Sequence, residues 1–133
     1  MAIGIKRNQY GGGQITPFTW VGTTKTWDNG LVFTSGNTIS EATPVLPSNC
    51  KLYATIDTYS PSAGASLYMN IKNKDASQWA QIYTKTYSTA GPHIETHEID
   101  LSSFAGQEVM FQVMGGGSNW QIAISRFDIT NQT

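Results

Sequence analysis

The sequence predicts an all-β protein, an antiparallel β-sandwich of about eight strands. Short segments that alternate apolar and polar residues recur at intervals of roughly 8–15 residues, and Gly, Pro, Asn and Asp clusters separate them. No segment has the apolar spacing of a helix of ten or more residues. Because each segment is apolar on one side, we expect two sheets that enclose one core.

The clearest alternation lies in two segments. In the first, Leu67, Met69 and Ile71 alternate with polar residues, and in the second, Val109, Phe111 and Val113 do the same. We expect these six side chains to form much of the core. The eight predicted strands lie at about residues 18–21, 31–34, 52–57, 66–72, 79–86, 94–101, 108–114 and 120–130.

Three connections carry specific signals. Ser102 to Gly106 is predicted to form one helical turn, capped by Ser102 and left through Gly106 in a left-handed conformation. Gly115–Ser118 is predicted to be a flexible loop. In the last strand the apolar phase shifts after Ile124, which predicts a β-bulge near Ser125 and Arg126.

The chain is predicted to consist of an N-terminal arm or hinge, residues 1–17, and a single sandwich domain, residues 18–133. Gly11–Gly13 supplies the hinge, and four apolar residues of the arm are candidates for docking on a partner: Ile3, Ile5, Tyr10 and Ile15. Lys6 and Arg7 follow the first isoleucines instead of preceding a long apolar run, so we expect no signal peptide and folding in the cytoplasm.

The composition argues against several classes of protein. Eight basic and nine acidic residues give a net charge of -1, which does not suit a nucleic-acid-binding protein. No apolar run approaches the ~18–20 residues of a membrane helix. Only 13% of the residues are charged, whereas Ser, Thr, Asn and Gln number 44, so the surface is polar but nearly uncharged. Cys50 is the only cysteine, which excludes an intrachain disulfide.

The C-terminal third carries a family resemblance. The segment from Glu98 to Val113 contains Ile99-Asp100-Leu101-Ser102-Ser103-Phe104-Ala105-Gly106, and a closing strand runs from Trp120 to Ile129. This arrangement resembles jelly-roll domains of the galactose-binding-like and carbohydrate-binding-module type. The resemblance implies a jelly-roll sandwich. The closing strand departs from the family pattern at Ala123 and Ile124, so the resemblance transfers no calcium or sugar ligand.

No catalytic or metal site is expected. His93, Glu95 and His97 share one face of a predicted strand, a spacing that suits zinc or copper, but an exposed polar strand face is the simpler interpretation. The sequence contains neither a nucleophile elbow nor a phosphate-binding glycine loop. We therefore predict no enzyme activity, no cofactor and no bound metal.

Aromatic residues are the candidates for a ligand site. Tyr68, Trp79 and Tyr83 lie opposite the aliphatic stripes of their strands, so exposure of at least some aromatic rings is expected. The alternative is that a sheet or a neighbouring subunit covers them. The full candidate set for sugar binding is Trp27, Tyr59, Tyr68, Trp79, Tyr83, Tyr87, Asn119 and Trp120.

Two functions are compatible with these features. The first is a non-catalytic structural protein of a virion, such as a phage capsid decoration, fibre or tail-accessory subunit, located in the virion after assembly in the host cytoplasm. Its expected partners are other virion or capsid proteins and identical copies of the chain, with no nucleic acid and no membrane. The alternative is a carbohydrate-binding module or small lectin, whose partner is a glycan.

Overall fold

The computed structural model describes residues 14–15, 20–21, 25–27, 30–40, 42–117 and 119–131, with backbone only at 14–31 and 130–131. These residues form eleven strands and one 3₁₀ turn. The strands are β1 (Gln14–Ile15), β2 (Trp20–Val21), β3 (Lys25–Trp27), β4 (Gly30–Phe33), β5 (Asn37–Ser40), β6 (Cys50–Tyr59), β7 (Ser66–Asn73), β8 (Ala80–Thr86), β9 (Ile94–Asp100), β10 (Val109–Gly116) and β11 (Gln121–Asn131).

The strands form two antiparallel sheets. One sheet has the order β3-β4-β11-β6-β9, with β1 paired to β11 beyond the end of β4, and the other has the order β2-β5-β10-β7-β8. Each sheet contains four strands of four residues or more, and β1, β2 and β3 are short additions of two or three residues. The predicted eight-stranded antiparallel sandwich is therefore confirmed.

The core lies between the two sheets. All six side chains expected there are buried, at 1% exposure or less. Alternation along β6 buries Leu52, Ala54 and Ile56 on the same inner side. The ring of Phe111 meets that of Phe127 edge to face, with centroids 5.4 Å apart. Cys50 is buried as well, and burial raises the pKa of its thiol.

The structure confirms one predicted irregularity and corrects two others. The register of β11 against β6 shifts between Ile124 and Arg126, where the bulge was expected. The 3₁₀ turn Ser102–Phe104 has Leu101 at its N-cap position with no side-chain capping bond, and Ser102, its first residue, donates from its backbone N–H and its hydroxyl to Asp100 Oδ1, so Ser102 is not the cap. Gly115 and Gly116 extend β10 instead of forming a loop, because they pair with Leu67 and Ser66 of β7.

Part of the predicted arm belongs to a sheet. Ile15 of β1 pairs with Ile129, and Gln14 pairs with Thr130. Ile3, Ile5 and Tyr10 lie outside the described residues, so the docking role of the arm stays a prediction. Among the described residues, no helix has the length and apolar character needed to cross a membrane.

Candidate functional site

The outer side of the five-stranded sheet collects aromatic and amide side chains. Since Leu67, Met69 and Ile71 of β7 face the core, alternation places Tyr68, Asn70 and Lys72 on the opposite side. Pairing brings residues of the flanking strands β8 and β10 to the same side. We call this surface the amide–aromatic face; it consists of Tyr68, Asn70, Lys72, Trp79, Gln81, Gln112 and Met114.

The strand register arranges these side chains in rows across the sheet. One row runs from Gln81 on β8 through Asn70 on β7 to Gln112 on β10. The neighbouring row contains Tyr68 and Met114, which are directly paired. Directly opposite residues have Cβ atoms about 4.5–5.5 Å apart, close enough for their side chains to interact.

The central amides hold each other and keep further hydrogen-bonding capacity. Asn70 Nδ2 donates to Gln112 Oε1 at 2.8 Å and also lies 3.5 Å from Met114 Sδ. Within the described part of the chain, no partner is recorded for Asn70 Oδ1 or Gln112 Nε2. The pair therefore offers an acceptor and a donor side by side, in a fixed mutual orientation.

An aromatic ring stands at each end of the face. Tyr68 and Lys72 are four residues apart on β7, about 13 Å along the strand. At the second end the ammonium of Lys72 lies over the ring of Trp79, 5.4 Å from its centroid, and donates to the carbonyl of Ala76 at 2.8 Å. Tyr68 and Trp79 are both half-buried, so each ring is held by its neighbours while part of it reaches solvent.

Gly116 provides the space in which the Tyr68 ring lies. A Cβ atom at position 116 would come within 2.9 Å of Tyr68 Cε2, closer than van der Waals contact allows. Gly115, one residue earlier, points to the interior, where a Cβ would be 2.5 Å from the indole of Trp120. The two glycines therefore admit two aromatic rings on opposite sides of β10.

Trp120 is half-buried and packs against the core from the inner side of β10. Besides its contact with Gly115, its ring meets the buried Phe33 edge to face, with centroids 5.6 Å apart. It packs against the core cluster that also contains Ile122 and Val113. Trp120 therefore lies on the opposite side of the sheet from Tyr68 and Trp79, although the sequence analysis places all three in one candidate set.

Tyr83 and Tyr87 lie at the side of the sandwich where β8 and β9 face each other, a region we call the lateral seam. A register shift between Met69 and Asn70 moves Tyr83 opposite the buried Met69, so the expectation that it shares the face of Tyr68 and Trp79 is wrong. Tyr87 is buried, and its hydroxyl donates to Glu95 Oε1 at 2.8 Å. Burial, followed by this bond to a carboxylate, raises the pKa of Tyr87.

His93, Glu95 and His97 gather at the lateral seam, which corrects their interpretation as an exposed polar strand face. His93 stacks on Tyr87 with ring centroids 4.4 Å apart, and His97 lies 4.5 Å from the Tyr83 ring. Glu95 also accepts from Lys85 Nζ at 3.1 Å. The described residues include no group of three or more His, Cys, Asp or Glu side chains placed to hold a metal ion.

The remaining candidates are scattered. Tyr59 ends β6 and, by alternation with the buried Thr58, lies on the outer side of the six-stranded sheet. Asn119 is exposed in the connection from β10 to β11, with a φ of 54°. Trp27 pairs with Gly30 through its backbone, and its side chain lies outside the described atoms. Among the candidates whose side chains the structure describes, it therefore brings together only Tyr68 and Trp79 on one outer face.

The outer side of the six-stranded sheet is internally paired. Glu98 accepts bonds from Tyr53 at 2.8 Å and from Lys51 at 3.4 Å, and these bonds lower the pKa of its carboxyl. Thr55 and Thr96 bond to each other at 2.9 Å. Arg126 pairs with Asp128 at 2.7 Å. The polar groups of this surface thus satisfy one another, in contrast to the central amides of the amide–aromatic face.

A small cavity of about 200 Å³ lies near one end of the sandwich. It is lined by Asn49, Lys51, Asp100 and Ser102. The bonds from Ser102 lower the pKa of Asp100 and engage its carboxylate. The described residues that line the cavity include no aromatic side chain, so they offer less to an apolar or amphipathic ligand than the amide–aromatic face does.

Comparison with solved structures identifies the fold. A xylan-binding module, CBM15, superposes with a TM-score of 0.59 at 14% sequence identity, over 97% of this chain and 96% of that one. This likeness shows that the fold is a jelly-roll β-sandwich. A carbohydrate-binding module of family 29 gives a TM-score of 0.57 at 12% identity, covering 92% of this chain and 80% of the module.

A third structure extends the comparison. The CBM36-1 domain of a multidomain xylanase from the hindgut metagenome of Trinervitermes trinervoides gives a TM-score of 0.53 at 13% identity, over 90% of this chain and 94% of that one. No protein-family model and no curated protein matches the sequence. At these identities the likeness establishes the jelly-roll fold and leaves the ligand to be argued from the residues of this chain.

The sequence interpretation missed the polar half of the amide–aromatic face. Asn70, Gln81 and Gln112 were not among the candidates, although Asn70 has the same strand phase as Tyr68. That phase was a usable signal for Asn70. The proximity of Gln81 and Gln112 could not be predicted, because it depends on the register of β8 and β10 against β7.

The two neighbouring glycines of β10 allow a matched test. Gly115→Ala forces a methyl group into the packed indole of Trp120, and we expect it to lower the free energy of unfolding by about 1–3 kcal/mol. Gly116→Ala pushes only against the half-buried Tyr68 ring, so we expect a smaller loss of stability. Urea unfolding of both variants measures this difference; equal losses would contradict the tighter packing of the Trp120 ring against position 115.

Acid is expected to destabilise the protein through His97. This side chain is 6% exposed, and its Nε2 has no partner within the described residues. Burial lowers the pKa of His97, while Glu95 raises and Lys85 lowers it to a smaller extent. The unfolded chain therefore takes up the proton at a higher pH than the folded protein does, and stability falls as the pH falls below about 6.5.

The test is urea unfolding of the native protein and of His97→Phe at pH 7, 6 and 5. The contribution of Glu95, whose pKa is lowered chiefly by the bond from Tyr87, is lost only at more acidic pH. We expect the native protein to lose stability over this range, by at most about 1.4 kcal/mol per pH unit for one proton, and the variant to lose less. Parallel profiles for the two proteins would exclude His97 as the cause.

Proposed function

We propose that the protein is a non-catalytic carbohydrate-binding domain that binds a glycan on the amide–aromatic face. One observation carries the proposal: Tyr68 and Trp79 bracket an amide pair that is fixed by its own 2.8 Å hydrogen bond and still has a donor and an acceptor to offer. This combination suits a ligand that is apolar on its ring faces and polar around its edge, as pyranose sugars are.

Each group on the face has a distinct role in such binding. The negative π-face of Tyr68 or Trp79 attracts the polarised C–H groups of a sugar ring that stacks on it. Asn70 Oδ1 accepts from one sugar hydroxyl, and Gln112 Nε2 donates to another. Since the two amides already fix each other, binding costs them little conformational entropy.

The same face gives no support to hydrolysis. Glycoside hydrolysis requires a pair of carboxyl groups that flank the scissile bond, and none of the seven residues that define the face is acidic. The similar structures named above include a xylan-binding module and a carbohydrate-binding module of family 29, and this likeness is compatible with a binding role.

The virion role gains no support from these comparisons, and no described contact favours it over glycan binding. The two roles do not exclude each other, because a virion subunit can also bind a glycan. We therefore place glycan binding first and base its test on binding alone.

Glycan binding is expected to depend on the rings of the amide–aromatic face. Tyr68→Ala and Trp79→Ala should each weaken binding at least about tenfold, equivalent to 1.4 kcal/mol, through the loss of one stacking surface. Affinity electrophoresis against a panel of polysaccharides identifies the ligand, and titration calorimetry on its oligosaccharides measures the loss.

Tyr59→Ala is the matched control. Tyr59 is an exposed aromatic residue on the other sheet, so its removal should leave affinity unchanged. Circular dichroism and thermal melts confirm that each variant is folded. Equal losses at Tyr59 and Tyr68, or binding that survives both face variants, would place the glycan elsewhere.

A further inference from the structure

Lys72 is exceptional among the basic side chains that the structure describes. Lys51, Lys74, Lys85 and Arg126 each pair with a carboxylate, at 3.4, 3.2, 3.1 and 2.7 Å respectively. Within that same part of the chain, Lys72 makes no ion pair; its recorded neighbours are the carbonyl of Ala76 and the ring of Trp79. The seven residues that define the amide–aromatic face therefore include one basic side chain, which has no ion-pair partner among the described residues, and no acidic one.

The position of this charge relates it to the ligand. An ammonium group has three N–H donors, and the bond to Ala76 engages one of them. Lys72 Nζ lies 5.4 Å from the centroid of the Trp79 ring, so a sugar held at that ring has its substituents within reach of the ammonium. Asn70, the next outward residue of β7, is one member of the amide pair, so Lys72 lies next to that pair on the face.

We infer that the amide–aromatic face selects a glycan bearing an anionic group, a uronic acid carboxylate or a sulfate ester, which pairs with Lys72 beside Trp79. The inference rests on the proposed function, since it names the class of glycan for the same site. A charge-assisted bond at this position adds both affinity and selectivity over an otherwise identical neutral sugar.

The alternative role for Lys72 is to hold the Trp79 ring in place. In that case the charge matters only through its contact with the ring, and neutral and anionic glycans bind equally well. The two roles are separable because one depends on the charge of the ligand and the other does not.

The decisive experiment compares polysaccharides that differ only in charge. Native glucuronoxylan, polygalacturonate and alginate are each paired with their carboxyl-reduced forms, and a sulfated galactan is paired with its desulfated form. Retardation of the protein in gels that contain each polymer is measured at low salt and at about 0.5 M salt, where screening shortens the reach of charges.

We expect the anionic member of at least one pair to retard the protein more strongly than its neutral counterpart, with the difference reduced at high salt. The pair that responds tells carboxylate from sulfate ester. If neutral members bind equally or better, the inference is wrong while the proposed function stands. If no polymer retards the protein, the proposed function fails as well.

Variants of Lys72 then connect the preference to this residue. Lys72→Gln should lower affinity for the anionic member by roughly three- to fivefold, the factor that a half-exposed ion pair supplies, and change affinity for the neutral member less. Lys72→Arg keeps both the charge and the stacking contact and should retain the preference. Lys74→Gln is the control, because it removes a nearby positive charge that is already paired with Asp75. A preference that survives Lys72→Gln would overturn the assignment.

Discussion

The pairing of β7 with β10 is the constraint on which the molecule depends. Eight residue pairs, from Val109 with Asn73 to Gly116 with Ser66, lock the two strands in one register. Because the pleat alternates, burying the aliphatic side chains of both strands forces the residues between them onto one shared outer surface. The core and the candidate site therefore both follow from a single register. A slip of one strand by one residue would turn its buried side chains to the outer surface and its outer side chains to the core.

The sequence was sufficient for the parts of the fold that depend on local periodicity. The core positions of β7 and β10 and the bulge of β11 near Ser125 follow from the alternation of apolar residues. Tyr83 was misplaced because the register shift in the β7–β8 pair leaves no apolar signature in the sequence. The lateral seam was also missed, since the contact of Glu95 with Tyr87 joins edge strands of two different sheets.

Glycine at 115 and 116 shows why composition alone misleads. A triglycine suggests flexibility, yet here two of its members extend a strand and are small because an aromatic ring occupies the space of each missing side chain. The ring of Trp120 packs against the core, and the ring of Tyr68 lies on the outer surface. The sequence does not distinguish these uses of glycine, because the ring at Gly116 belongs to a distant strand and reaches this position only through the register of β7 against β10.

The two outer surfaces of the sandwich differ in how their polar groups are used. On the six-stranded sheet, Lys51 and Tyr53 both bond to Glu98. Because these groups already bond to one another, replacing their contacts by contacts with a ligand would gain little binding free energy. On the five-stranded sheet, the pair of Asn70 and Gln112 is rigid but incompletely bonded, and Lys72 carries a charge with no protein counterion among the described residues. A ligand that supplies hydroxyls and a negative charge adds hydrogen bonds there without breaking the ones that hold the surface in shape. Unused hydrogen-bonding capacity on a rigid surface, more than the number of exposed aromatic rings, is what distinguishes the amide–aromatic face as the proposed binding surface.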